Sequence, residues 1–396
     1  MAEILKLDAL IFGGGVAGLW LLNRLRNEGY SAWLMEHDQL GAGQSIASQG
    51  MIHGGIKYAL GGKLTNASTA IADMPAHWKQ CLTGEGDVDL RGCNLLSDSY
   101  FMWPRDSLRS RLNAFLGSKA LEAKVDKVAS ENYPAFFSNN IQGALYQLQD
   151  IVLDVPSLIH TLAENQPEAI FKIDWQQAAL EKNPDGGINE LRFSNGTVIQ
   201  ARHFIFCCGA GTQSLMDDNQ FDFTKMQRRP LRMVMVKHAI EEPVFVHCVS
   251  DKLSMTPEVT ITSHRNAAGE PVWYLGGELA EHGARQSEGE LIETARNKLA
   301  TLFPWCDFSN ARWGTFAIDR AEQKQSDGTR PDGISIAESH NLMLCWPTKL
   351  TLAPNLANTI LNKMQAANNV AGTSAEPSPP DFLQRPELAS TPWEQF

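Results

Sequence analysis

Gly13, Gly15 and Gly18 follow the apolar run Ala9 to Phe12 and precede Leu19, Trp20, Leu21, Leu22 and Leu25, which fall at helical spacing. This is the GxGxxG pattern. Gly13 permits a tight turn, Gly15 lets backbone approach a pyrophosphate, and Gly18 lets the helix pack on its strand. The amides of a helix amino terminus, here Val16 and Ala17, would then face the phosphates with the positive end of the helix dipole. Gly29 ends the helix, and Ala32-Trp33-Leu34-Met35 reads as a second strand ending at Glu36, beside His37. A carboxylate there accepts hydrogen bonds from an unphosphorylated adenosine ribose, which suits FAD or NAD and not NADP. With 31 glycines in the chain, GxGxxG alone is easily met by chance. The strand–turn–helix–strand–acid context carries the reading, against the alternative of a purely structural glycine turn.

The elements that must position this chemistry come from a chain of 396 residues, 43% hydrophobic and 20% charged, which is ordinary globular composition. At about 150 residues per domain that length predicts two or three domains. The net charge of −11 opposes a phosphate backbone, so nucleic acid is not an expected partner. Any anionic ligand must be held by a few placed cations or amides. No run reaches the roughly 18 apolar residues of a membrane span, and the first apolar stretch reads as a strand and not as a signal peptide. The seven cysteines are scattered and odd in number, without a CxxC pair. They predict buried thiols in a reducing compartment, with no disulfide framework and no metal site. The expected location is cytoplasmic, with peripheral attachment at the inner face of the membrane left open.

The next segment separates FAD from NAD. Gly41-Ala42-Gly43-Gln44-Ser45-Ile46-Ala47-Ser48-Gln49-Gly50-Met51 continues into Ile52-His53-Gly54-Gly55-Ile56-Lys57-Tyr58. This long small-residue loop resembles the D-amino-acid oxidase (DAO) superfamily of FAD enzymes, in which such a loop passes the ribityl chain and the flavin. Within the superfamily, HGG followed by an aliphatic residue, a cation and Tyr looks most like FAD-dependent glycerol-3-phosphate dehydrogenase. The 2-hydroxyglutarate dehydrogenases carry a related pattern. Gly143-Ala144-Leu145 to Leu158 resembles the stretch before the helix that re-enters the FAD domain, with Asp154 as its cap and Pro156 in its first turn. Cys208-Gly209-Ala210-Gly211-Thr212-Gln213-Ser214 is close to the family's AxGxxS. Arg330-Pro331-Asp332-Gly333 and Leu344 to Pro354 resemble the closing segment on the flavin, with Lys349-Leu350-Thr351 matching KLT. Pro347 and Thr348 replace the two glycines of that motif, and proline has no amide to donate. The chain also lacks the helical carboxy-terminal domain of those dehydrogenases.

The resemblance implies an α/β fold: a Rossmann-like FAD-binding domain of glutathione-reductase type, interleaved with an α+β substrate domain on an antiparallel sheet. The expected boundaries are 1–75, 145–215 and 330–370 for FAD, 76–144 and 216–329 for substrate, and an irregular proline-rich tail at 371–396. Trp393 and Phe396 could anchor that tail, though its composition favours a frayed end. Ile188 to Phe193, the turn Ser194-Asn195-Gly196 and Thr197 to Ala201 predict a hairpin. Arg232–Val236, Val244–Val246, Val259–Thr262 and Val272–Leu275 read as strands, and Glu290 to Phe303 as a helix.

The implied reaction is hydride transfer from a CH–OH carbon of a small anionic substrate, a 2-hydroxy acid or a glycerol-phosphate-like molecule, to FAD. The electron acceptor is a quinone, oxygen or a redox protein. His53 is the candidate base for the hydroxyl proton; the rival readings are a structural histidine and, less favoured, a covalent flavin link. Arg320 resembles the family arginine that grips a carboxylate or phosphate, against a surface pair with Asp319 or Glu322. Lys57, Lys349 and Tyr58 are further site candidates, Tyr274 and His264 weaker ones. Arg228, Arg229 and Arg232 read as a solvated face. Two other functions stay open: an amine or amino-acid oxidase, which needs no strong base, and a non-catalytic flavin-binding or partner protein.

Overall fold

The computed structural model describes residues 4–55, 71–104, 125–138, 140–250, 256–331, 333–367 and 376–396. The chain opens with β1 (Ile4–Phe12), α1 (Val16–Asn27) and β2 (Ala32–Glu36). From Leu7 on, β1 is buried on both faces, as a central strand of a parallel sheet must be. There follow β3 (Met51–Ile52), α2 (Met74–Thr83), β4 (Leu95–Ser97), β5 (Tyr100–Pro104), β6 (Val125–Lys127), β7 (Tyr146–Leu148) and β8 (Ile151–Leu153). α3 (Val155–Glu164) starts where Asp154 Oδ2 accepts from the Ser157 amide at 3.0 Å, with Pro156 in its first turn.

Next come β9 (Ile170–Lys172), β10 (Ala178–Lys182), β11 (Ile188–Phe193) and β12 (Val198–Phe206). Between the last two, Gly196 sits at φ +91°, closing the Asn-Gly hairpin. The second half contains α4 (Thr212–Asp218), β13 (Met226–Lys237), β14 (Val246–Val249), β15 (Val259–Arg265), β16 (Pro271–Gly276), α5 (Glu278–Gly283), α6 (Glu288–Leu302) and β17 (Arg312–Gln323). A capping box between Ser287 and Glu290 starts α6. β18 (Ser335–Ser339), β19 (Leu342–Trp346) and α7 (Ala353–Ala366) close the ordered elements.

Two large sheets result. In the first, β19, β12, β1, β2 and β9 run parallel in that order, with the β10–β11 hairpin and β18 added antiparallel. α1, α3 and α7 pack together against it, the expected Rossmann-like layer. The second sheet has the order β17-β13-β16-β15-β14-β5-β7-β6 and is antiparallel except where β14 meets β5. Its own core gathers Val234, Trp273, Leu275, Leu291 and Phe303. A small sheet, β3-β8-β4, lies between these in sequence and positions the site. Trp78 of α2 is fully buried against Trp20 of α1, ring centroids 4.5 Å apart, so α2 belongs to the first core.

The segment 376–396 lacks long elements, as its prolines require, but the expectation of a frayed end is wrong. Trp393 is 2% exposed, and Leu40 forms a parallel bridge with Leu388. Apolar burial outweighs the ordering entropy that composition alone suggested. All seven cysteines are free thiols. Among the described residues, no helix is long and apolar enough to cross a membrane.

Candidate active site

The nucleotide corner is built by the backbone. Gly13 sits at φ +105°, and a Cβ there would lie 2.6 Å from the Cys207 carbonyl oxygen. A Cβ on Gly18 would lie 2.0 Å from the Gly13 oxygen, so the first turn of α1 can close on its strand only without a side chain. α1 has no acidic residue in its first turn, and its Val16 amide donates to Ser45 Oγ at 3.0 Å. That leaves the helix terminus suited to an anion. The Glu36 carboxylate, buried at the end of β2, accepts from the Gly14 amide at 2.5 Å and the Asp38 amide at 2.9 Å, and meets His37 Nδ1 at 3.1 Å. Burial alone would raise its pKa, but these bonds outweigh burial and hold it below the ordinary value.

A cavity of about 360 Å³ runs from this corner to the second sheet. Gly15, Val16 and Ala17 line one end, and the loop contributes Gln44, Ser45, Ser48, Gln49 and Met51. Gly209 and Thr348 to Thr351 form another wall, and His53 and Arg320 reach it as well. Gly13, Gly18, Glu36, His37, Gly50, Ala210 and Gly211 do not line it; several act by letting others approach. The Ala210 carbonyl, for instance, accepts from Arg228 at 3.0 Å. Lys57 and Tyr58 lie outside the described residues.

The loop is tied to the substrate side. Gln44 Oε1 accepts from the Ala321 amide at 3.0 Å, and Gln49 Nε2 donates to the Tyr274 carbonyl at 2.8 Å. On the closing wall, Thr348 adopts φ +66°, a region that disfavours a β-branched residue. Its hydroxyl donates to the Gly333 carbonyl at 2.6 Å. Thr348 thus holds a backbone conformation that glycine adopts freely, at a cost in strain.

His53 has a partner that the motif did not reveal. β3 pairs antiparallel with β8 through Met51–Val152 and Ile52–Ile151, so one step further His53 stands opposite Asp150. His53 Nδ1 lies 3.3 Å from Asp150 Oδ2, and Asp150 Oδ1 accepts from the Gly54 amide at 2.7 Å. The Thr351 hydroxyl accepts from the His53 amide at 3.1 Å, fixing the pair to the closing wall. His247 of β14 stacks parallel to His53 at 6.3 Å and is itself held by Thr260 Oγ1 at 3.0 Å and the Tyr100 ring at 4.5 Å. Donor atoms of His53, Asp150 and His247 fall within 4.8 Å of one another. His77, Cys81 and Asp87 form a comparable group. There, His77 Nε2 and Asp87 Oδ1 are hydrogen-bonded at 3.0 Å, and that bond, with Cys81, raises the His77 pKa to about 10.

The cations are arranged differently from the sequence reading. Arg320 does pair, but with Glu281 at 3.1 Å and not with Asp319 or Glu322. Those carboxylates are taken by its cross-strand neighbours. Arg228 faces Asp319 at 3.6 Å, and Arg229 grips Glu322 with two bonds of 2.7 Å. Glu322 is fully buried and Arg229 half-buried, so Arg229 is held in an ion pair and is not part of a solvated face. Arg232 donates to the Gln286 carbonyl. Arg320 Nε and Arg330 Nε are buried polar atoms with no hydrogen-bond partner, and both residues line the cavity. Burial lowers the Arg320 pKa, reinforced by Arg229 and Arg330 and opposed by Glu281, yet a guanidinium stays charged. His264, packed under Trp393, is pushed down to about 3 by burial and is neutral.

This geometry fits a dinucleotide cofactor: a helix terminus without acidic side chains, a buried carboxylate at the end of β2 and a cavity continuing toward guanidinium nitrogens without a hydrogen-bond partner. The family model DAO, FAD dependent oxidoreductase, matches residues 8–351. The chain belongs to the DAO family. The probable FAD-dependent oxidoreductase PA4991 of Pseudomonas aeruginosa is 41% identical over 396 residues, spanning 100% of this chain and 99% of that protein. Its crystal structure matches with a TM-score of 0.85 at 37% identity, over 100% and 99% of the two chains. Glycine oxidase from Geobacillus kaustophilus shares the fold at a TM-score of 0.66 and 14% identity, over 94% and 100%. L-proline dehydrogenase from P. horikoshii does so at 0.66 and 13%, over 93% and 95%.

As a DAO-family protein the chain is an FAD-dependent oxidoreductase, and its cofactor is FAD. The reading as a non-catalytic scaffold is therefore set aside. The narrower likeness to glycerol-3-phosphate and 2-hydroxyglutarate dehydrogenases gains no support, since the similar structures carry other names. Four residues in this site were missed. Asp150 stands just before β8 and His247 lies within β14, each a single polar residue that only strand pairing brings to the site. Glu281 sits in a six-residue helix without a motif, whereas Arg330 lay within the closing segment and could have been nominated.

Proposed function

We propose that this DAO-family enzyme oxidises a CH–OH carbon of a small anionic substrate, with His53 taking the hydroxyl proton. The His53–Asp150 pair carries the reading: a carboxylate 3.3 Å from one imidazole nitrogen orients the ring and stabilises the imidazolium formed when the other nitrogen accepts a proton. An alcohol needs that base, because its hydride leaves readily only as the O–H proton is removed. The amides at the start of α1, Glu36, the Gln44–Met51 loop, Gly209 and Thr348 to Thr351 would hold FAD. When bound, FAD supplies the two-electron acceptor for the substrate carbon. Arg320 and Arg330, with Lys349 on the same cavity wall, would hold the carboxylate or phosphate. The first sheet with its helices supports an FAD part built from 1–75, 145–215 and 330–370, and the second sheet a substrate part from 76–144 and 216–329, except that α2 and Val88, Leu90 and Cys93 pack into the first core.

The second reading is amine oxidation. Glu281 beside Arg320 offers an anionic partner for an ammonium group, and similar folds are named for glycine and L-proline. One experiment separates the two. Anaerobic flavin bleaching is measured with hydroxy acids, phosphorylated polyols and amino acids, in wild type and His53→Ala. The alcohol reading expects a hydroxy substrate to bleach the flavin and His53→Ala to slow this by about a hundredfold or more. A change within about tenfold, or about 1.4 kcal/mol, sinks it.

A further inference from the structure

We infer that residues 387–396 clamp the FAD-side loop at both ends, and that Trp393 and Tyr274 are positioning residues for FAD. At the near end, the Leu40 amide donates to the Glu387 carbonyl at 2.7 Å, and the Ala389 amide donates back to the Leu40 carbonyl at 3.0 Å. At the far end the clamp works through the second sheet. Trp393 packs edge-on against Tyr274 at 5.4 Å and flat on His264 at 4.3 Å. Tyr274 is fully buried; its hydroxyl donates to the Ala47 carbonyl at 3.0 Å, and its carbonyl accepts from Gln49 Nε2 at 2.8 Å. His264 adds a second route, because Thr262 Oγ1 meets both His264 Nε2 at 2.9 Å and Gln49 Nε2 at 3.3 Å.

The clamp is itself fastened. Glu394 Oε1 accepts from the Ala267 amide at 2.8 Å, and Lys237 lies over the Phe396 ring at 4.5 Å and bonds its main-chain oxygen. The Phe396 ring rests on Gly314, where a Cβ would come within 2.9 Å of it. Between Leu40 and Gln49 the loop is a series of turns with no strand ladder, and Ala47 and Gln49 line the cavity. Such a segment opens locally at low cost unless tertiary bonds hold it. Here those bonds come from Glu387 and Ala389 at the near end and from Tyr274 and Thr262 at the far end, where Trp393 packs against Tyr274. Loosening Trp393 therefore frees the wall that closes over FAD without cutting a strand of either sheet.

The test is FAD release from the purified holoenzyme after dilution, followed as the rise of free-flavin fluorescence, with thermal unfolding measured alongside. Tyr274→Phe, which deletes one hydrogen bond, is expected to speed release about fivefold. Trp393→Ala, which removes the packing, is expected to speed it about tenfold, and Trp393→Phe to restore most of the loss. Because Trp393 acts through Tyr274, the double variant should release FAD little faster than Trp393→Ala alone. Wild-type release rates in Trp393→Ala overturn the inference, as do single effects that multiply in the double variant. If Trp393→Ala does not fold, Tyr274→Phe decides, and a wild-type release rate there overturns it.

Discussion

The nucleotide corner and the substrate wall face each other across one cavity, yet they are made in opposite ways. The corner comes from one stretch, Gly13 to Gln49, and its key groups are backbone amides and a single carboxylate. Its shape depends on what is absent at Gly13 and Gly18. The wall is assembled from side chains at the ends of β3 and β8, on β13, β14, α5 and β17, and in the segment after β17. Its key pairs, His53–Asp150, Arg320–Glu281 and Arg229–Glu322, each join different elements. A backbone-built site tolerates little added volume, whereas a side-chain site is sensitive to losing one partner of a pair.

The largest test of that contrast is Gly18→Ala. With a Cβ forced to within 2.0 Å of the Gly13 oxygen, the variant should lose about 3 kcal/mol or more and purify without FAD. Denaturant unfolding and the flavin absorbance band check this; a yellow protein of wild-type stability would mean the corner is soft. On the wall, Glu322→Gln leaves Arg229 without its anion. The Arg229 side chain is 24% exposed, so water recovers part of the loss and the expected cost is about 2 kcal/mol, measured by denaturant unfolding.

His264, on β15 behind the wall, makes the second sheet sensitive to acid. Its folded pKa of about 3 lies below the ordinary 6.5, so the unfolded chain binds a proton that the native protein refuses. Stability should therefore fall as pH drops below about 6.5, by roughly 3 kcal/mol at pH 4. His264→Gln should flatten that fall. Glu36 acts in the same sense as His264 but at lower pH: its lowered pKa contributes stability that is present above the ordinary carboxylate value and lost as pH falls from there through its folded one. Unfolding curves for wild type and His264→Gln at pH 7 and pH 4 decide whether the second sheet titrates as described. The smallest effect belongs to Thr348→Gly. Relief of a positive φ gains roughly 1–3 kcal/mol, and the lost bond to Gly333 and extra chain entropy offset it, leaving a net change within about 1 kcal/mol. A loss beyond about 2 kcal/mol would show that the hydroxyl, not the strain, governs this turn.

The same division marks what could be read beforehand. The β1–α1–β2 unit, the Asn-Gly hairpin, the cap at Asp154 and the strands Val259–Arg265 and Pro271–Gly276 were visible because each rests on local propensity, turn chemistry or periodicity. β17, which carries Arg320, was not visible; its residues are mostly half-buried and show no clean alternation. Its pairing with β13 decided which carboxylate each arginine takes. Two positions of β17, Arg320 and Glu322, lie close in sequence, but Glu322 is sealed in the core against Arg229 while Arg320 turns to Glu281 on α5.

The amino-acid sequence alone determined the nucleotide corner, the cofactor class and the interleaved fold. The corner follows from glycine spacing and apolar period, which act within a turn or two of chain, whereas the cofactor class and the interleaved fold came from the resemblance of the longer motifs to a known family. The tertiary structure decided the base pair, the anion pocket and the anchored end. His53 and Asp150 are 97 residues apart and meet because β3 and β8 share one register; a slip of one residue would turn them to opposite faces. Trp393 settles on Tyr274 because the second sheet leaves an apolar surface there. Register and burial are properties of the assembled chain, so no local pattern could announce them.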